Sequence, residues 1–175
     1  FASRSTLSPF ERAGSVLAGT LTNSSAVGAN VSLTQRPPYD LGEEYLILTH
    51  SKFLPAAERL AQWKNEKGIL TKVVIVNDGA GPGPDTAEQI DEFIHDRYRT
   101  AWIRPSYVLL MGDAEYVPTF YVSTGGSATT GTDHPYSTYA ETPGGAESLL
   151  PYFAVGRIPV DTLAQATVVV DKIIG

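Results

Sequence analysis

The residues equipped for chemistry sit at the ends of short apolar runs. Thr49-His50 closes Tyr45-Leu46-Ile47-Leu48, Asn77-Asp78 follows Val73-Val74-Ile75-Val76, and Gly112-Asp113 closes Tyr107-Val108-Leu109-Leu110-Met111. A further group, Thr132-Asp133-His134 with Tyr136, lies in a long polar stretch. If the runs are parallel strands, His50, Asp78 and Asp113 emerge on one edge, where open α/β sheets place their ligand sites. Three readings compete. Asp113 with Glu115, Asp133 or Glu147 offers hard oxygen ligands for calcium or magnesium, although no spacing is as regular as an EF-hand. A Ser/His/Asp hydrolytic set has serines to draw on. None lies in a Gly-x-Ser-x-Gly elbow, and Ser106 merely opens a strand. In the third reading Asp113 caps the following turn and His134 is an exposed loop residue. The residues taken alone favour this third reading.

Composition narrows the classes further. The chain has 175 residues, an apolar share of 42%, a formal net charge of −6 and no cysteine. The missing thiol excludes disulfides, zinc–thiolate sites and a cysteine nucleophile within the chain. The acidic balance (pI about 5.0) and lack of a basic stripe argue against nucleic acid as a partner. No apolar stretch approaches the ~20 residues of a membrane span. The glycines of Asn77 to Asp85 invite a phosphate-loop reading. No Gly-Lys-Ser/Thr closes that pattern, and Pro82 and Pro84 remove backbone donors.

The elements that would position these residues alternate. Strands are expected at 45–49, 70–76, 107–111 and 152–159, helices at 55–68, from Asp85 or Thr86 to about 98, and from Asp161 or Thr162 to the end. Residues 107–111 form an unbroken apolar run bounded by Pro105 and Gly112, as in a strand buried on both faces of a parallel sheet. Ile90, Phe93, Ile94 and Tyr98 mark the apolar face of the second helix, and His95, among Asp91, Glu92, Asp96 and Arg97, reads as solvated. Leu163, Ala166, Val169, Val170 and Ile173 mark that of the last. Residues 114–150 form a long polar connection, expected to be functional or disordered. The order implies an α/β three-layer sandwich: a mostly parallel sheet of about four strands with helices on both faces. Residues 41–175 make this domain. Residues 1–40, rich in Ser, Gly, Thr and Ala, read as a short β-rich or irregular arm, or as the end of a preceding β domain.

Several segments in this order resemble the gingipain-type cysteine peptidases. They are 45–50, Trp63-Lys64-Asn65-Glu66-Lys67-Gly68, 107–118, Thr132-Asp133-His134-Pro135-Tyr136, and Val155-Gly156-Arg157-Ile158-Pro159. The likeness runs from about Tyr39 to Gly175 and implies a caspase-like fold, cysteine-type endopeptidase activity, and a secreted or cell-surface location. In that family the catalytic His and Cys come later than these segments. His50, His95 and His134 therefore inherit no catalytic role, and no catalytic residue is assigned here. The chain is expected to be the non-catalytic first subdomain, with the carboxy-terminal catalytic subdomain as its partner and peptide substrate bound only with that partner. Calcium is the cofactor the resemblance implies, with Asp113 as a ligand. Tyr152 stands where the family carries a further acid, which leaves Glu147 as the nearby substitute. The alternatives are a non-enzymatic binding module of the same fold and a metal-dependent hydrolase built on Asp113.

Overall fold

The computed structural model describes residues 41–79, 83–125, 128–138 and 150–175. The amino-terminal arm and Glu147 lie outside the described residues. The elements are β1 (Tyr45–Thr49), a 3-10 turn (Ser51–Phe53), α1 (Leu54–Glu66), β2 (Thr71–Ile75), α2 (Ala87–Thr100), β3 (Tyr107–Met111), β4 (Phe120–Gly125), β5 (Ala128–Thr132), a second 3-10 turn (His134–Ser137), β6 (Ala154–Ile158) and α3 (Leu163–Ile174).

Four strands form one parallel sheet in the order β2-β1-β3-β6. Alternation along β1 and β3 divides the core into two layers. Leu46, Leu48, Val108 and Leu110 point to one side and pack with Ile90 and Ile94 of α2. Ile47, Leu109 and Met111 point to the other and pack with Ala56, Ala57 and Leu60 of α1 and Ala166 and Val170 of α3. Helices thus cover both faces, and the expected three-layer sandwich is the observed architecture.

Local chemistry sets the boundaries. Pro55 sits in the first turn of α1, where its missing N–H costs nothing. The helix ends in a Schellman motif: Ile69 N–H donates to Lys64 O and Gly68 N–H to Asn65 O, with Gly68 at φ +85°. Thr86 and Gln89 form a capping box on α2, and Thr162 and Gln165 form one on α3. Glu43, fully buried, is forked by Arg97 of α2, with Nε 2.9 Å from Oε1. That pair ties the entrance of β1 to the α2 layer.

Three features depart from the sequence reading. His95 is buried, at 6% exposure, with Nδ1 3.3 Å from Asp91 and its ring against Phe153. It continues the buried face of Ile90 and Ile94 by one position, and Asp91, one turn earlier, faces its ring. Leu163 and Ile173, assigned to the apolar side of α3, are about two-fifths exposed, since Ala166 and Val170 alone reach full burial. Finally, the long polar connection carries two strands that the sequence reading did not place. Phe120–Ser123 pairs antiparallel with Thr129–Thr132, with a register irregularity between Ser123 and Gly125. Phe120-Tyr121-Val122 is a short strand-forming run, but its partner Ala128–Thr132 is mostly threonine, so no apolar alternation marks the pair.

Candidate functional site

The carboxyl ends of the strands form the candidate site. His50 follows β1 and caps the first 3-10 turn, its Nδ1 accepting from Lys52 N–H at 3.1 Å. With Nδ1 engaged as an acceptor, the neutral ring carries its proton on Nε2, which faces Asp78 Oδ1 at 4.0 Å. Ser51 Oγ donates to that same oxygen at 2.7 Å. The ring packs edge-on to Tyr116 and near Phe53. A serine, a histidine and an aspartate do meet here, but in the wrong order for hydrolysis. The serine proton goes to the carboxylate, and the nearer imidazole nitrogen, 3.5 Å away, already holds a backbone N–H.

Asn77, at the end of β2, is held at φ +51°. Its N–H donates to Pro84 O and its Nδ2 to Glu115 O, so the strained residue staples β2 to the turn after β3. A cavity of about 360 Å³ lies beside β2, lined by Val73, Val74, Ile75, Asp78, Asp85 and Phe93 among others. Neither His50 nor Asp113 lines it.

Gly112 sits at φ +139°, where a Cβ would fall 3.0 Å from Tyr116 Cβ and 3.2 Å from the Phe53 ring. Only glycine accepts both the backbone angle and the crowding. Asp113 follows, exposed, with its N–H donating to Val160 O. Its Oδ1 accepts from Ala114 N–H at 2.7 Å, and its carbonyl accepts from the N–H groups of Tyr116 and Val117. Asp113 therefore caps its own turn. Among the described residues no three His, Asp or Glu gather as a metal-binding group. His134 is exposed, its N–H on Thr132 Oγ1.

The centre of this edge is a residue to which the sequence reading gave no function. Arg157 rises from β6 and spends all five guanidinium donors. Nε and Nη2 fork onto Asp133 at 2.8 and 2.7 Å. Nη1 donates to Gly112 O and Val117 O, and Nη2 also donates to Pro118 O. Thr119 Oγ1 adds a donor to Asp133. Partial burial alone would raise the Asp133 carboxyl; the Arg157 and Thr119 hydrogen bonds and the guanidinium charge outweigh it and hold the group below the usual range. Beside it, buried Tyr136 donates to Pro118 O, and burial pushes its phenol well above the ordinary value. Two segments far apart in sequence, 132–136 and 155–159, thus meet in one clasp. The signal was present as an arginine in an otherwise apolar strand, which has to find a carboxylate.

Comparison with known proteins agrees with this architecture. Residues 39–175 match the model of peptidase family C25. Gingipain R2 of Porphyromonas gingivalis is 30% identical over 95 residues, which cover 53% of this chain and 13% of that protein. The solved Arg-specific cysteine proteinase gingipain R superposes with a TM-score of 0.58 at 22% identity, covering 77% of this chain and 28% of that one. A second solved protease gives 0.59 at 25% identity with the same coverage. The chain therefore spans only a small part of these relatives. No helix among the described residues is long and apolar enough to cross a membrane. From the fold, the strand-end motifs and the family match over most of its length, this chain belongs to the gingipain-type peptidases of family C25.

Proposed function

We propose that the chain is the non-catalytic first subdomain of a secreted or cell-surface gingipain-like cysteine endopeptidase, and that it supports a carboxy-terminal catalytic subdomain. The observation that carries this reading is the state of the carboxyl edge. The polar groups at the ends of these strands hold the edge together. Ser51 donates to Asp78, His50 caps a turn, Asp113 caps a turn, and Asp133 is neutralised by Arg157. No cysteine exists to act as nucleophile. Such an edge is a platform for loops supplied by another part of the enzyme.

Calcium belongs to the same reading, with Asp113 and Glu147 as protein ligands. Asp113 offers one carboxylate, and one of its oxygens already accepts a backbone N–H. Calcium takes about six to eight oxygens, so the described residues do not by themselves build its shell.

The pure chain is expected to hydrolyse no peptide amide, with Arg, Lys or any other residue before the scissile bond. The gene read past Gly175 is expected to encode a His-Gly segment and then a Cys-bearing strand. Cleavage by the pure chain, or a stop codon directly after Gly175, overturns the proposal. A stop codon would leave the non-enzymatic module.

A further inference from the structure

β2 bounds the sheet on the side away from β6, and its outer edge is finished residue by residue. In the parallel ladder with β1, Leu70 O and Val76 N–H face β1, so alternation turns the N–H and C=O of Thr71, Val73 and Ile75 outward. At Thr71 the side-chain amide of Asn65 takes the place of a neighbouring strand. Thr71 N–H donates to Asn65 Oδ1 at 2.8 Å, and Asn65 Nδ2 donates to Thr71 O at 3.4 Å. At Ile75 the backbone of Gly83 lies so close that a Cβ there would fall 2.0 Å from Ile75 O. Such covers keep edge strands from pairing with the wrong partner. Val73 lies between them without one. Among the described residues nothing hydrogen-bonds to its outward N–H and C=O.

Two hollows meet at Val73, one on each face of the sheet. The cavity of about 360 Å³ lies on the α2 side, with Val74, Phe93, Asp78 and Asp85 in its wall. An open hollow of about 650 Å³ lies on the α1 side, with Glu58, Gln62, Asn65 and Glu66 in its wall. Each carries two carboxylates, and among the described residues no Lys or Arg lines either. The acids are only partly committed. Ser51 and Gly79 N–H each reach one oxygen, of Asp78 and Asp85, and Gln62 reaches one of Glu66.

An occupant must match the backbone pair and both hollows at once. The pair requires one donor and one acceptor, spaced as on a β-strand. A polyamine matches the charge but offers no acceptor to Val73 N–H. A strand residue offers both groups, and its chain turns successive side chains to opposite faces. We propose that the β2 edge binds a short extended segment of a basic polypeptide, paired antiparallel at Val73. Val73 packs with the α1 layer, so the side chain opposite it turns to that face and meets Glu58 and Glu66. The residues before and after turn to the α2 face, toward Asp78 and Asp85. The covers at Thr71 and Ile75 confine the pairing to one residue and its two neighbours. This inference does not depend on the peptidase reading.

The test uses the full chain and the blocked tripeptide acetyl-Lys-Lys-Lys-methylamide, with nuclear magnetic resonance of the backbone amides. The Val73 amide is expected to move downfield and saturate at low-millimolar peptide, while the amides of Leu46 and Leu110, inside the sheet, stay in place. The same peptide with its central nitrogen methylated keeps every charge but lacks the donor to Val73 O, and it should bind at least about fivefold more weakly. Asp85→Asn and Glu58→Gln, both at exposed positions, should each weaken binding about two- to fivefold. The corresponding tri-glutamate peptide should not bind. Absence of a saturable shift at Val73 overturns the proposal. So does equal affinity for the methylated peptide, which would leave charge alone as the attraction, or an unchanged affinity in both carboxylate variants.

Discussion

Replacing Arg157 with alanine tests the organisation of the carboxyl edge most directly. The guanidinium is 14% exposed and the Asp133 carboxylate 26%. Removing one partner of a mostly buried ion pair costs ~3–5 kcal/mol. The exposed quarter of Asp133 admits some water, which places the expected loss near the lower figure, about 3 kcal/mol. Three carbonyls, those of Gly112, Val117 and Pro118, lose a donor in the same step. Arg157→Lys keeps the charge but cannot form the fork or reach four acceptors at once, so it should recover less than half of the loss. Asp133→Asn keeps an acceptor for Thr119 and should cost about 1–2 kcal/mol. Urea unfolding followed by far-ultraviolet circular dichroism gives each difference. In thermal melts the alanine variant should fall by roughly 10 °C. The Arg157→Ala/Asp133→Ala cycle should show coupling of at least ~1.5 kcal/mol.

The clasp also fixes the sign of a pH effect. The folded Asp133 carboxyl lies below its ordinary value, so near pH 4 the unfolded chain binds more protons than the folded one. Its stabilising contribution is complete above the unfolded value, ~3.9, and is lost as pH falls through the lowered folded value. Asp133→Asn should flatten this acid limb and leave the curve above neutrality parallel to wild type. The reasoning fails if Arg157→Ala loses less than ~1 kcal/mol, if lysine and alanine are equivalent there, or if the acid limb survives in Asp133→Asn.

Two further outcomes follow. Gly112→Ala should cost about 1–3 kcal/mol in the same urea assay, because the backbone angle and the contacts with Tyr116 and Phe53 both oppose a Cβ; a loss below a few tenths would show that the turn relaxes freely. Calorimetry with calcium should give a binding heat that Asp113→Ala removes and Glu147→Gln weakens, and an unchanged heat in both variants would remove calcium from the proposed function.

The fold was legible because its signals are local. The apolar run at 107–111, Pro55 and Gly68 around α1, and the Thr-x-x-Gln caps of α2 and α3 each act within a few residues. Sequence also placed His50, Asp78 and Asp113 on one edge, because strand direction follows from alternation. What it did not reveal depends on contacts between distant segments. Asp133 and Arg157 are 24 positions apart, and neither motif names the other. Burial of His95 turns on Phe153, which reaches it only through the β3–β6 pairing. The β4–β5 hairpin pairs the short run Phe120-Tyr121-Val122 with threonines and a glycine, and neither side shows an apolar alternation.

The same distinction separates a platform from a reactive centre. A catalytic histidine needs one nitrogen free to exchange a proton and the other oriented by an acceptor. His50 has its Nδ1 filled by Lys52 N–H and its ring between Phe53 and Tyr116, while Lys52 Nζ lies 4.3 Å above the Tyr116 ring. Freeing Nδ1 would uncap the 3-10 turn that carries β1 into α1, and drawing Ser51 away from Asp78 would cost that carboxylate its donor. Each step toward reactivity thus breaks a contact that shapes the edge. A side chain so placed is held in geometry by the fold itself, and the supporting role proposed above requires that rigidity.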